Sequence, residues 1–172
     1  DLCLKNRLEI HYDQIISNKN QSKLFFANTY HFYEDKIIKK HFDQFNLDNI
    51  NLLKKYVSND LLTIGCFIDS ESVVFKKNEA LNIGGFNSKY KYLADYDFFI
   101  RMGEVYNFSY TNKLVSKWRV HDKQATVLMG RIYSKELKKL YFKYIFSKNI
   151  FLNTKVKILI LLIKVIIKKL LK

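Results

Sequence analysis

Leu4, Leu8, Tyr12, Ile15 and Ile16 recur at three- and four-residue steps, the spacing of one helical face. They predict a helix over residues 5–17, ended by the polar run Asn18-Lys19-Asn20-Gln21-Ser22. Residues 23–33 are aromatic and β-prone (Leu24-Phe25-Phe26-Ala27-Asn28-Thr29-Tyr30) and predict a strand, which 36–42 either pair with or border as an edge. Residues 48–57 read as a short helix with Asp48 or Asn49 as its N-cap. The apolar runs 61–67 and 72–75 read as a strand or buried loop, then a strand. One or two helical turns over 77–83 stop at Gly84-Gly85, where glycine accepts the positive φ of a C-cap. Residues 95–106 form a helix with Phe98, Phe99, Met102 and Val105 on its apolar face. Two strands follow, 108–110 and 114–120, the second alternating Leu114, Ser116, Trp118 and Val120 against Val115, Lys117, Arg119 and His121. Helices over 131–147 and 154–172 complete an α/β or α+β pattern with no internal repeat.

At 172 residues, 48% hydrophobic and 16% aromatic, the chain has the makings of one globular domain. Its net charge of +14 first suggests a nucleic-acid surface, but the location of the charge argues otherwise. From 131 to 172 there are 12 Lys or Arg against one acid, Glu136, which leaves 18 basic and 15 acidic residues before them. The body is nearly balanced, and no nucleic-acid partner is expected. Cys3 and Cys66 lack metal-ligand spacing and read as free thiols in a reducing cytosol. The first residues carry no signal-peptide pattern, and a start at Asp rather than Met suggests a piece of a longer protein.

The basic excess defines a tail. Within 154–172, Lys157, Lys164, Lys168 and Lys172 fall on one side of a helix and Ile and Leu cover most of the rest. Its longest uninterrupted apolar run, Ile158 to Ile163, is far short of the roughly 20 residues that span a bilayer. Such a helix suits either the plane of an anionic cytoplasmic leaflet or a packed position on the domain or a partner. The expected organisation is 1–127 as a catalytic portion and 128–172 as a basic amphipathic helical tail.

The densest chemistry lies between Asn78 and Met102. Paired glycines and an aromatic make a tight corner, and the loop after it delivers Asp95 to the start of a helix. Asp95 there is either an N-cap or an oriented carboxylate available for chemistry. Asp97 reads as a supporting or exposed residue, and Arg101 as a structural ion-pair partner. Trp118 reads as core, and Ser70 and Ser72 as polar loop residues able to line a pocket.

Gly84-Gly85-Phe86 followed by Leu93-Ala94-Asp95-Tyr96-Asp97-Phe98-Phe99-Ile100-Arg101 resembles the segment of family 2 glycosyltransferases in which Gly-Gly-Phe and a loop precede an acidic helix start with an Arg. Ser72-Val73-Val74-Phe75-Lys76-Lys77 resembles the preceding strand. Lys117-Trp118-Arg119-Val120-His121 with Gln124-Ala125-Thr126 resembles the family's later aromatic-Arg-x-His segment. Asp1 to Glu9 resembles the stretch that follows or overlaps the metal-binding Asp-x-Asp, with Cys3 and Lys5 in place of the usual Trp and Pro.

The resemblance implies the acceptor-side part of a GT-A-like, Rossmann-like α/β domain, with the nucleotide-binding half lying before Asp1. It implies a bacterial surface-polysaccharide enzyme, which the tail over 154–172 is expected to seat on the inner face of the cytoplasmic membrane. A sugar passes from a nucleotide-sugar donor to a glycan or lipid-linked acceptor with inversion. Asp95 is the implied general base, and Gly84, Gly85, Phe86, Ala94 and Arg119 are implied substrate contacts. The implied cofactor is Mg2+ or Mn2+, with His121 and Asp1 as candidate ligands and the remainder in the other half; His121 reads alternatively as a structurally hydrogen-bonded strand-end residue. Arg119 could equally pair with an acid such as Asp97. The alternative is a non-catalytic, membrane-associated interaction module or a remnant of such an enzyme.

Overall fold

A computed structural model of the protein describes residues 1–19, 21–122 and 130–170, with side chains on these except 131 and 165–170. The Gln124-Ala125-Thr126 segment, the 127/128 boundary, residues 171–172 and the side chain of Lys168 lie outside the described residues.

In chain order the elements are β1 (Leu2–Cys3), α1 (Arg7–Ser17), β2 (Leu24–Tyr33), β3 (Lys36–Lys40), α2 (Tyr56–Ile64), β4 (Val73–Phe75), α3 (Lys77–Asn82), α4 (Ala94–Val105), β5 (Phe108–Arg119), α5 (Gly130–Ile145) and α6 (Leu152–Leu170). Short 3-10 turns occupy His41–Gln44, Leu47–Asn49 and Ser70–Ser72. The result is a mixed α/β fold.

Its sheet is ordered β1-β5-β2-β3, with β4 pairing the other half of the β2 edge. β2 runs parallel to β5 and antiparallel to β3 and β4, so it is the central strand. That position explains its near-continuous apolar sequence, because a central strand is covered on both faces. Ile10 of α1 packs with Ala27 and Val115 on one face. On the other, Leu24 and Phe26 enter the main core with Leu61, Leu62, Phe67, Phe98 and Met102. That same core takes in Leu140, Tyr144, Ile158 and Leu162 of α5 and α6. Both C-terminal helices are packed on the domain.

Two predicted strands are one: β5 is continuous from Phe108 to Arg119. Its pairing with β2 shifts register around Asn28, so the polar Asn112 and Lys113 are accommodated as a bulge, and Asn28 Nδ2 donates to Asn112 Oδ1 at 3.1 Å. The helix predicted over 48–57 is not formed. The Asn51 amide donates to Asp60 and the Lys54 amide to Asn107, while the Leu52 carbonyl accepts from the Phe108 amide. These groups bond to distant elements instead of to each other, and the helix begins only at Tyr56. The apolar run at 61–67 is therefore the end of α2 up to Ile64, stopped by Gly65 at φ +109°, and then a loop that buries Phe67, as the loop alternative had it, and not a strand.

Candidate functional site

The paired glycines close α3 as predicted. Gly84 and Gly85 have φ of +86° and +61°, and their amides donate to Leu81 and Ala80 at 2.9 Å each, the two bonds of a Schellman cap. Arg101, in mid-α4, donates to the carbonyls of Ile83 (2.7 Å) and Gly85 (2.6 Å) and to Asp97 Oδ2 (2.7 Å). Thus the glycine corner and the helix that carries Asp95 are clamped by one guanidinium. Asp97 is fully buried, contrary to an exposed reading, and its other oxygen accepts from Lys143 of α5 at 2.8 Å. Phe86 is more than half exposed and stacks on Phe98 at 4.4 Å.

Asp95 is the second residue of α4, with Leu93 at the N-cap position, so it is not the N-cap. The approach to the helix is held instead by Glu136 of α5, whose carboxylate accepts from the amides of Lys91 (2.8 Å), Tyr92 (2.9 Å) and Leu93 (3.2 Å). Burial alone would raise the Glu136 carboxyl, but these three donors outweigh it and hold it below the usual range.

Asp95 faces a cleft of about 270 Å³. The walls are Cys66, Ile68, Asp69, Ser70, Glu71, Tyr92, Leu93, Tyr96, Trp118 and Tyr133. Ser70 Oγ donates to Asp95 Oδ2 at 2.7 Å, and the Tyr96 amide to Oδ1 at 2.7 Å. One carboxylate is thereby fixed at the N-terminal end of a helix dipole, among aromatic rings and hydroxyls. Burial pushes the Glu71 carboxyl up, and the Asp69 and Asp95 charges push it the same way. Burial likewise raises the Tyr133 hydroxyl and holds the Cys66 thiol far above its ordinary value, so the thiol is a hydrogen-bonding wall rather than a nucleophile.

Trp118, expected in the core, lines this cleft, with its ring edge-on to His31 at 4.5 Å. Ser70 lines it as anticipated, whereas Ser72 is buried and bonds the Asp69 carbonyl. Gly84, Gly85, Phe86, Ala94 and Arg119 are not among its walls. Arg119 is exposed, on the strand face opposite Trp118, and its amide donates to Asp1 Oδ1 at 2.9 Å. Asp1 and His121 belong to no group of three metal-ligating side chains among the described residues.

Such a group forms elsewhere, from residues the sequence did not single out. His31 Nε2 lies 3.1 Å and His41 Nδ1 3.2 Å from Asp69 Oδ2. Burial lowers the proton affinity of His41, against the pull of the Asp69 charge. The Phe67 carbonyl lies near enough to raise it, without hydrogen-bond geometry. The three ligating groups come from a strand, a turn and a loop, so no local spacing announces them. The one available signal was a histidine within the apolar run of β2 and another opening the turn after β3.

No protein-family model and no curated protein matches the chain.

Proposed function

We propose that the chain is the acceptor-side part of an inverting sugar transferase of bacterial surface-polysaccharide synthesis, with Asp95 as its general base. The observation that carries this reading is the Asp95 carboxylate, held by Ser70 at 2.7 Å on the wall of an aromatic cleft.

An acceptor hydroxyl in the cleft is a poor nucleophile until its proton leaves. Asp95 takes that proton as the oxygen attacks the anomeric carbon, and the bond to the nucleoside diphosphate breaks on the opposite face. Ser70 keeps the carboxylate aimed while it works, and Trp118 and Tyr133 offer flat apolar surface to a sugar ring. A Mg2+ or Mn2+ ion supplies charge neutralisation for a leaving diphosphate. Asp1 and His121 do not gather the oxygen-rich set such ions take, so no step here depends on them. The acceptor is a glycan or a lipid-linked sugar, and α6 brings the cleft to an anionic membrane.

Transfer from a nucleotide sugar by the full-length protein, wild type against Asp95→Asn, tests the assignment. The substitution keeps the shape and the Ser70 contact but removes the base. We expect kcat to fall about 10²–10⁴-fold with KM little changed. Turnover within a few-fold of wild type would remove Asp95 from the mechanism, and absence of transfer by the wild type itself would favour the non-catalytic module.

A further inference from the structure

We propose that His31, His41 and Asp69 form a binding site for one divalent transition-metal ion of the zinc type. The inference is independent of the sugar-transferase reading and of any Mg2+ or Mn2+ at a diphosphate.

Three parts of the fold converge to make it. His31 sits where the β2–β3 pairing shifts register, His41 opens the turn after β3, and Asp69 comes from the loop between α2 and β4. Donor spacing suits a small ion. Bonds of about 2.0–2.1 Å in a tetrahedron set neighbouring donors about 3.3 Å apart. The two imidazole nitrogens stand 3.1 Å and 3.2 Å from Asp69 Oδ2, and all three donor atoms lie within 4.8 Å of one another.

The second observation is polar dissatisfaction. His31 and His41 are 3% and 6% exposed. Yet His41 Nδ1, His41 Nε2 and His31 Nδ1 make no hydrogen bond among the described residues. Buried polar atoms are rarely left so, and a short contact between Nδ1 and a carboxylate that lacks hydrogen-bond geometry fits shared coordination better. The rings are also held in place. His31 abuts Trp118 at 4.5 Å, His41 abuts Phe45 at 5.2 Å, and the two imidazoles are 5.3 Å apart.

Donor chemistry chooses the class of ion. Two imidazoles and one carboxylate suit zinc and its first-row neighbours, while Mg2+ and Ca2+ prefer all-oxygen shells. Asp69 is the most exposed of the three ligands and is itself a wall of the Asp95 cleft, so the cleft is the side open to a fourth ligand.

The test is metal uptake by the full chain after chelator treatment, read by zinc competition with a chromogenic chelator and by the visible spectrum of added Co2+. We expect about one equivalent per chain, unmoved by excess Mg2+, with a four-coordinate Co2+ spectrum and a raised Tm. Asp69→Asn and His41→Gln should each raise Kd more than about 100-fold, since even an outer-shell partner is worth about 10–100-fold. His11→Asn, altering a buried histidine of α1 outside the cluster, should leave Kd unchanged. A wild-type chain that takes up no Zn2+ overturns the proposal, as does uptake that persists in folded Asp69→Asn and His41→Gln. Should both variants fail to fold, the wild-type Co2+ spectrum decides: four-coordinate absorption supports the site and its absence overturns it. If the group is only a His–Asp–His hydrogen-bonded chain, Tm will not respond to metal.

Discussion

Glu136 shows how much one side chain can hold. It is buried, comes from α5, and accepts three amides from the loop leading into α4. Since its carboxyl is depressed in the fold, the unfolded chain binds that proton more tightly. Its contribution is therefore complete above the unfolded value of about 4.3 and is lost as pH falls through the folded value. Glu136→Gln is expected to cost about 1–3 kcal/mol at neutral pH by urea unfolding. The gap to wild type should narrow in acid, and a gap independent of pH would count against this role. Nothing in the sequence marked Glu136 beyond its being the one acid in a basic stretch. Asp95 and Arg101 were legible because their spacing is local, within one loop and one helix. The groups that hold their surroundings, Glu136 on the amides of residues 91–93 and Lys143 on Asp97, lie about forty residues on, in a different helix.

Among elements, the α2–α4 contact sets the tightest tolerance. A Cβ on Gly103 of α4 would come 2.8 Å from Val57 Cγ1 and 3.1 Å from the Ser58 backbone nitrogen of α2. Alanine for glycine in a helix normally stabilises by about 1 kcal/mol. Here the methyl meets backbone that cannot step aside, and overpacking of this kind costs about 1–3 kcal/mol. Gly103→Ala should therefore destabilise on balance, lowering the urea midpoint with m unchanged; a stabilised variant would show the helices free to separate. The same neighbourhood explains where reading by pattern failed. Helices α1, α3 and α4 were legible from periodicity and a glycine stop. The stretch before α2 was not, because the Asp60 carboxylate, the Asn107 side chain and the Phe108 amide take up its backbone groups. A short apolar run such as 61–67 carries no period long enough to separate strand from helix.

For the molecule as a whole, α6 presents three different sides. Thr154, Ile158 and Leu162 face the core, Lys157 and Lys164 face solvent, and Leu152, Val156, Leu159, Ile160 and Ile163 form an exposed apolar side. No helix among the described residues is long and apolar enough to cross a membrane. An apolar side flanked by lysines suits shallow seating on anionic lipid. In liposome flotation the full chain should be recovered with anionic vesicles and less so as salt rises, with Leu159→Glu plus Ile163→Glu abolishing recovery. Equal recovery with uncharged vesicles would remove the electrostatic part of this account. The sequence showed the lysine side and the greasiness, and left membrane seating and packing on the domain as alternatives; the buried Thr154, Ile158 and Leu162 show the packing.

The anchoring of the Asp95 loop by α5 has a practical consequence. Trimming the greasy C-terminal end to improve expression would look harmless, because every segment on which the proposal for Asp95 rests lies before the cut. A cut made before Glu136 would instead leave three amides without their acceptor and strip Lys143 from a buried aspartate. An inactive short version would then report a collapsed scaffold, and would say nothing about which residues perform the chemistry.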